Sequence, residues 1–140
     1  MGKKPSPEKM AHADERLRRE VIMWLTTTRS DGQPQSSPVW FLWDGRTFLI
    51  YSLPASQKVP NIRRNPKVSL HLNDDGVGSD VLSIEGLAAI GEQEPSITDV
   101  PEYVDKYRDL IADLGTEPRA FAGAYSVAIR VTPTRWRIAD

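Results

Sequence analysis

The sequence predicts a mainly β domain with a few helices, folded as a small closed or split barrel of antiparallel strands. Three observations carry that prediction. Strand-like runs follow one another through Asp31-Gly32 and Asp44-Gly45, connections too short to hold helical crossovers. Apolar residues occupy both parities of Val39-Trp40-Phe41-Leu42-Trp43 and of Phe48-Leu49-Ile50-Tyr51, so both faces of the sheet meet core, ligand or another subunit. A chain of 140 residues, 39% hydrophobic and 26% charged, suits one compact domain with a core of its own.

Taken in order, residues 1–12 read as a flexible N-terminal extension and 13–140 as a single barrel domain. The opening ten residues hold two prolines, three lysines and one glutamate but no apolar period. From Ala13 to about Glu20 the spacing of Leu17 and Val21 amid charges predicts a short amphipathic helix, changing to strand near Glu20 or Val21. The strand runs Ile22 to Thr28, Gln35 to Trp43 and Thr47 to Ser52 form a meander about the two Asp-Gly turns. Pro60 starts a short helix through Arg64, which Asn65-Pro66 ends before a strand from Lys67 to Asn73. Asp74 to Asp80 is a polar turn without the spacing of a calcium loop. A strand from Val81 to Ile90 contains Gly86, which marks a bulge or a close approach to a ligand, the bulge being the simpler reading. Pro101 opens a helix whose Val104, Tyr107, Leu110 or Ile111, and Leu114 recur each turn until Gly115 and Pro118 stop it. Phe121 to Val131 reads as strand, separated by Pro133 from a short run Thr134 to Ile138. About six strands and two main helices result.

Composition limits the chemistry. Eighteen basic residues against nineteen acidic ones leave a net charge of -1, no field for a nonspecific polyanion binder, so no nucleic-acid partner is expected. The chain has no cysteine, which removes thiolate nucleophiles and thiolate metal sites, and two separated histidines offer little basis for zinc; no metal site is predicted. His12 and His71 lack the neighbours that a nucleophilic constellation needs, and no catalytic residue is assigned. No stretch is long enough for a membrane span, and the lysine-rich opening leads into charges, so a cytoplasmic location is expected. Demanding chemistry then falls to a bound group, as when a redox ring carries hydride and the polypeptide orients it.

The segment Ser52 to Pro66 is the strongest local candidate site. Ser52, Lys58, Asn61 and Arg64 could converge on phosphate, or the segment is a solvated loop followed by a basic surface helix. Trp24, Trp40, Trp43 and Trp136 are many indoles for this length. They bound a planar ligand near Ser37-Pro38-Val39, or they simply pack the core.

The order and spacing of Leu25-Thr26-Thr27, Asp31-Gly32-Gln33-Pro34, Ser37-Pro38-Val39-Trp40-Phe41, Trp43-Asp44-Gly45, Tyr51-Ser52, Lys58-Val59-Pro60-Asn61-Ile62-Arg63-Arg64-Asn65-Pro66 and Ile84-Glu85-Gly86 are those of a known family. From about Ala13 through Ile138 the chain resembles the pyridoxamine 5'-phosphate oxidase-like, FMN-binding split barrels, and within them the deazaflavin branch that uses coenzyme F420. The resemblance implies a homodimer with two cofactor sites between the subunits. It implies that Ser37, Pro38 and Val39 line the ring or its chain, Tyr51 and Ser52 the adjoining strand wall, and Lys58, Asn61 and Arg64 the phosphate end. Trp136 is implied as a ring neighbour from the second subunit. The implied activity is hydride transfer between the deazaflavin ring and a small organic substrate. An FMN-dependent oxidoreductase, a noncatalytic F420 carrier and a nucleic-acid-binding barrel are the alternatives. Pro60 beside Lys58 and Val59 alters the donor pattern of that loop relative to family members with another residue there.

Overall fold

The structure, a computed structural model, describes residues 4–139. Helix α1 (Pro7–Arg19) opens it, with the Ser6 hydroxyl accepting from the Lys9 N–H and Pro7 in the first turn. The helix therefore begins earlier than expected and takes in residues 7–12 of the anticipated extension. Residues 1–3 of that extension lie outside the described residues. Ala13 and Leu17 enter the core, and the helix is capped at Glu20, close to where the sequence places its end, with strand following from Met23.

Seven strands form one antiparallel sheet: β1 (Met23–Thr28), β2 (Pro34–Val39), β3 (Leu42–Trp43), β4 (Phe48–Ser52), β5 (Lys67–His71), β6 (Val81–Ile90) and β7 (Val127–Ala139). Their spatial order is β2-β1-β5-β6-β7-β4-β3. This is the split-barrel architecture the sequence predicts, with one departure. The expected meander through Gln35 to Trp43 is broken at Trp40-Phe41, and the hairpins β1–β2 and β3–β4 lie at opposite edges of the sheet.

Helix α3 (Pro101–Asp113) explains the break, because its side chains satisfy the backbone that leaves the ladder. The Phe41 N–H donates to the Tyr107 hydroxyl oxygen at 2.8 Å, and the Phe41 carbonyl accepts from Lys106 Nζ at 2.9 Å. Tyr107 in turn donates to the Val21 carbonyl at 2.7 Å. A buried backbone pair without sheet partners thus stays hydrogen-bonded.

Two core clusters flank the sheet. One gathers Leu17, Met23, Leu25, Phe48, Ile50, Leu70 and Ile84; the other joins Leu49 and Tyr51 to Tyr103, Tyr107 and Ile111 of α3 and to Phe121. Alternate residues of β4 enter different clusters, so every residue of that strand is buried. The mixed parity of Phe48 to Tyr51 reports two cores.

The C-terminal part departs from expectation. Pro118 begins helix α4 (Pro118–Ala124), capped by the Glu117 side chain on the Ala120 N–H, so Phe121 is helical and strand starts at Val127. Pro133 does not end β7. Gly86 pairs with Pro133 and Glu85 with Arg135, so Thr134 is extra and the strand continues past a bulge. A Cβ on Gly86 would lie 2.8 Å from Val131 Cγ1 and 3.0 Å from the Thr132 carbonyl oxygen, so this glycine permits close strand packing. Helix α2 (Lys58–Arg64) begins before Pro60, and β5 ends short of Asn73. No described helix is long and apolar enough to cross a membrane.

Candidate functional site

Where β2 leaves the sheet and β4 ends, a cleft of about 380 Å³ opens between the sheet and the α3–α4 layer. That volume lies in the range of small-molecule sites, roughly 300–1,000 Å³. Its two ends differ in chemistry.

The polar end is built by Ser52, Ser56 and Lys58. β4 delivers Ser52 at its last position, and the adjoining turn carries Ser56 to the start of α2, where Lys58 stands on the first helical turn. Lys58 Nζ donates to the Ser56 hydroxyl at 2.8 Å. Burial pulls this ammonium below the ordinary lysine range, and among the described residues no carboxylate pairs with it. A half-buried cation held by a hydroxyl and no carboxylate is suited to receive an anion.

The aromatic end is walled by Trp40, Phe121, Tyr125, Tyr103 and Leu114. The ring of Trp40 lies parallel on Tyr107 at 4.5 Å and on Phe121 at 5.0 Å, and Phe121 stacks on Tyr125 at 4.3 Å. Four rings thus form one continuous stack, with Tyr107 carried by α3 and Phe121 by α4. Tyr51 backs the cleft with its hydroxyl donated to the Pro95 carbonyl at 2.7 Å; burial, then the nearby Glu94, raises that phenol to about 12.

Of the residues anticipated from sequence, Pro38, Val39, Tyr51, Ser52 and Lys58 line this cleft, and Ser37, Asn61 and Arg64 do not. Asn61 is fully buried. Its amide donates to the Thr27 hydroxyl at 3.0 Å and to Gln35 Oε1 at 3.1 Å, and its oxygen accepts from Gln57 Nε2 at 3.0 Å. It therefore clamps α2 to β1 and β2. Arg64 is exposed at the far end of α2 and donates to the Thr28 carbonyl at 2.7 Å. Ser37 is half-buried on β2.

Trp136 packs edge-on against Trp43 at 5.5 Å, Trp24 stacks on His71, and His12 meets Asp80 at 2.9 Å, all away from the cleft. No cluster of metal-ligating side chains occurs among the described residues. Sequence reasoning missed the α3–α4 wall. Tyr103 and Tyr107, four apart on one helix face, signal a packed layer but not that the layer borders a cleft.

Residues 10–140 match the family model described as pyridoxamine 5'-phosphate oxidase. Among solved structures, an F420 reductase is 30% identical with a TM-score of 0.71, covering 89% of this chain and 94% of that one. A putative pyridoxamine 5'-phosphate oxidase from Listeria innocua is 27% identical with a TM-score of 0.68, covering 91% and 95%. A conserved hypothetical protein from Mycobacterium tuberculosis is 26% identical with a TM-score of 0.71, covering 98% and 86%. Sequence comparison with curated proteins finds no match.

Proposed function

The chain belongs to the pyridoxamine 5'-phosphate oxidase family, and from that premise we infer that it is an oxidoreductase using coenzyme F420 to reduce a small organic substrate. The observation that carries the reading is the two-ended cleft, in which an uncompensated, half-buried Lys58 stands beside Ser52 and Ser56 and leads to a stacked aromatic wall. This set suits a flat ring with a phosphate. The likeness to an F420 reductase favours deazaflavin over FMN as that ring.

In this reading Lys58, with Ser52 and Ser56, holds the phosphate by charge-assisted hydrogen bonds. Pro38 and Val39 present the end of β2 to the ring, with Ser37 beside them on the same strand. Arg64, exposed beyond the cleft on α2, meets the anionic tail of F420, and Asn61 keeps α2 and Lys58 in place. A bound deazaflavin supplies hydride, so the chain needs no nucleophile of its own. The aromatic wall orients the acceptor and keeps water from it. A second copy of the chain completes the site by covering Pro34, Ser36 and Pro38, which are exposed on the edge strand β2.

Binding of F420 and FMN, titrated side by side, tests the assignment. Tighter binding of F420, weakened about 10-fold or more by Lys58→Ala, is the expected result. Selective FMN binding reverses the choice of ring, and unchanged affinity in Lys58→Ala removes the phosphate role. Sedimentation that finds only monomers under binding conditions sinks the shared site.

A further inference from the structure

A second pocket, of about 440 Å³, lies where the β3–β4 hairpin meets the residues leading into α3. It shares no lining residue with the cleft. Glu102 and Tyr103, adjacent on the first turn of α3, line different cavities, and Leu49 and Tyr51 on β4 divide in the same way.

The apolar lining is Leu42, Trp43, Leu49, Pro95 and Val100. Trp43 donates its indole N–H to Asp14 Oδ1 at 2.8 Å, so it offers a ligand only apolar surface. The charged lining is Arg18, Asp44, Glu102 and Arg130, two cations and two anions. That balance ends once their partners are counted. Arg18 pairs with Asp14 at 2.9 Å, and Arg130 forks onto both oxygens of Glu94 at 2.7 Å. Carboxylates outside the lining thus already match both guanidinium groups.

Asp44 lies 3.5 Å from Arg130 and accepts from the N–H groups of Arg46 and Thr47 and from the Thr47 hydroxyl. Burial works to raise this carboxyl, but those donors outweigh it and hold the group below its ordinary range. Glu102 is exposed and has no salt-bridge partner among the described residues. Four carboxylates therefore stand against two guanidinium groups, an excess of negative charge beside an apolar surface.

We propose that this pocket is a second small-molecule site and that it takes an organic cation, an ammonium or guanidinium group carried on a flat or branched apolar body. The body covers Leu42, Leu49 and Val100, and the cation is drawn to Asp44 and Glu102. An organic anion of the same shape meets the surplus carboxylates and is disfavoured. Water and salt reach these exposed carboxylates, so charge selects the ligand more than it tightens binding. The inference is independent of the cofactor assigned to the first cleft.

The test is a titration of isotope-labelled protein with tryptamine and with indole-3-propionate, followed by amide chemical shifts. The two probes share an indole on a short chain and differ in the sign of their charge. Tryptamine is expected to move the amide signals of Leu42, Leu49 and Val100 with a Kd about 10-fold below that of indole-3-propionate at low salt, a preference that shrinks in about 0.5 M NaCl. Glu102→Gln is expected to weaken tryptamine about 3-fold and Glu102→Lys to erase the preference, both variants melting within a few degrees of wild type because the side chain is exposed. Equal binding of the two probes, no binding of either, or a preference unaltered in Glu102→Lys overturns the proposal. So do shifts confined to Trp40, Ser52 and Tyr125, which would put the cation in the first cleft. The titration is run without F420, so it decides this site whether or not the cofactor assignment holds.

Discussion

The two hairpins at the sheet edges share an Asp-Gly turn between strand-like runs and end as opposites. In β3–β4 the strand Phe48–Ser52 is buried at every position, with Phe48 and Ile50 in one core cluster and Leu49 and Tyr51 in the other. In β1–β2 the edge strand alternates between exposed and half-buried until Val39, and its polar residues reach Ser37. A strand that its own chain covers on both faces carries stability. An edge strand left open is free to carry recognition, and the cleft forms where the open strand's end approaches the covered one.

The sharpest way to break this comparison is to truncate one side chain in each hairpin. Phe48→Ala, which empties a fully buried position, is expected to cost about 3–5 kcal/mol, and Pro38→Ala on β2 to stay within about 0.5 kcal/mol. Urea denaturation of the two variants measures both. Comparable losses would mean that β2 is as structural as β4.

A smaller effect is expected where the two halves of the sheet join. Gly86→Ala places a methyl against Val131 and the Thr132 backbone across the β6–β7 bulge, costing about 1–3 kcal/mol. Chemical denaturation again reads it, and ligand affinity is expected to stay unchanged because Gly86 lies outside the cleft.

The smallest effect concerns the crossover that carries the chain from one hairpin to the other. Lys106 Nζ caps the Phe41 carbonyl and lies 3.7 Å from the centre of the Phe41 ring. Burial pulls its ammonium down to about 8. Because the folded value lies below the ordinary 10.5, the unfolded chain holds more protons between those values, and stability rises with pH there. The buried-charge cost is thus full below about pH 8 and relieved above it. Lys106→Met is expected to flatten that rise by about 1 kcal/mol, read from stability profiles between about pH 8 and pH 10. An unaltered slope would assign the rise to other groups.

Much of the fold was legible because turns and strand periods are local. Asp31 and Asp44 bind the backbone N–H groups of their own turns, and β6 occupies the span its pattern suggests. Pro118 misled because proline both ends one helix and begins another, and the choice depends on Glu117 capping the first turn of α4. Pro133 misled because a bulge absorbs it, and bulges are set by the partner strand. In the site, Ser52 and Lys58 were legible as hydroxyl and cation near a turn. The same segment's Asn61 is directed inward to Thr27 and Gln35, which no spacing along the chain announces.

By itself the sequence determined where most of the strands lie, that Ser52 and Lys58 stand near one turn, and the exclusion of thiol chemistry, because these depend on residue type and near neighbours. The tertiary structure alone decided that the hairpins part to opposite edges and that α3 and α4 wall the cleft. It alone left Tyr103 with an unpaired hydroxyl while Tyr51 and Tyr107 found partners. Whether a buried polar group is satisfied depends on atoms brought together from distant parts of the chain, and only the packed fold brings them together.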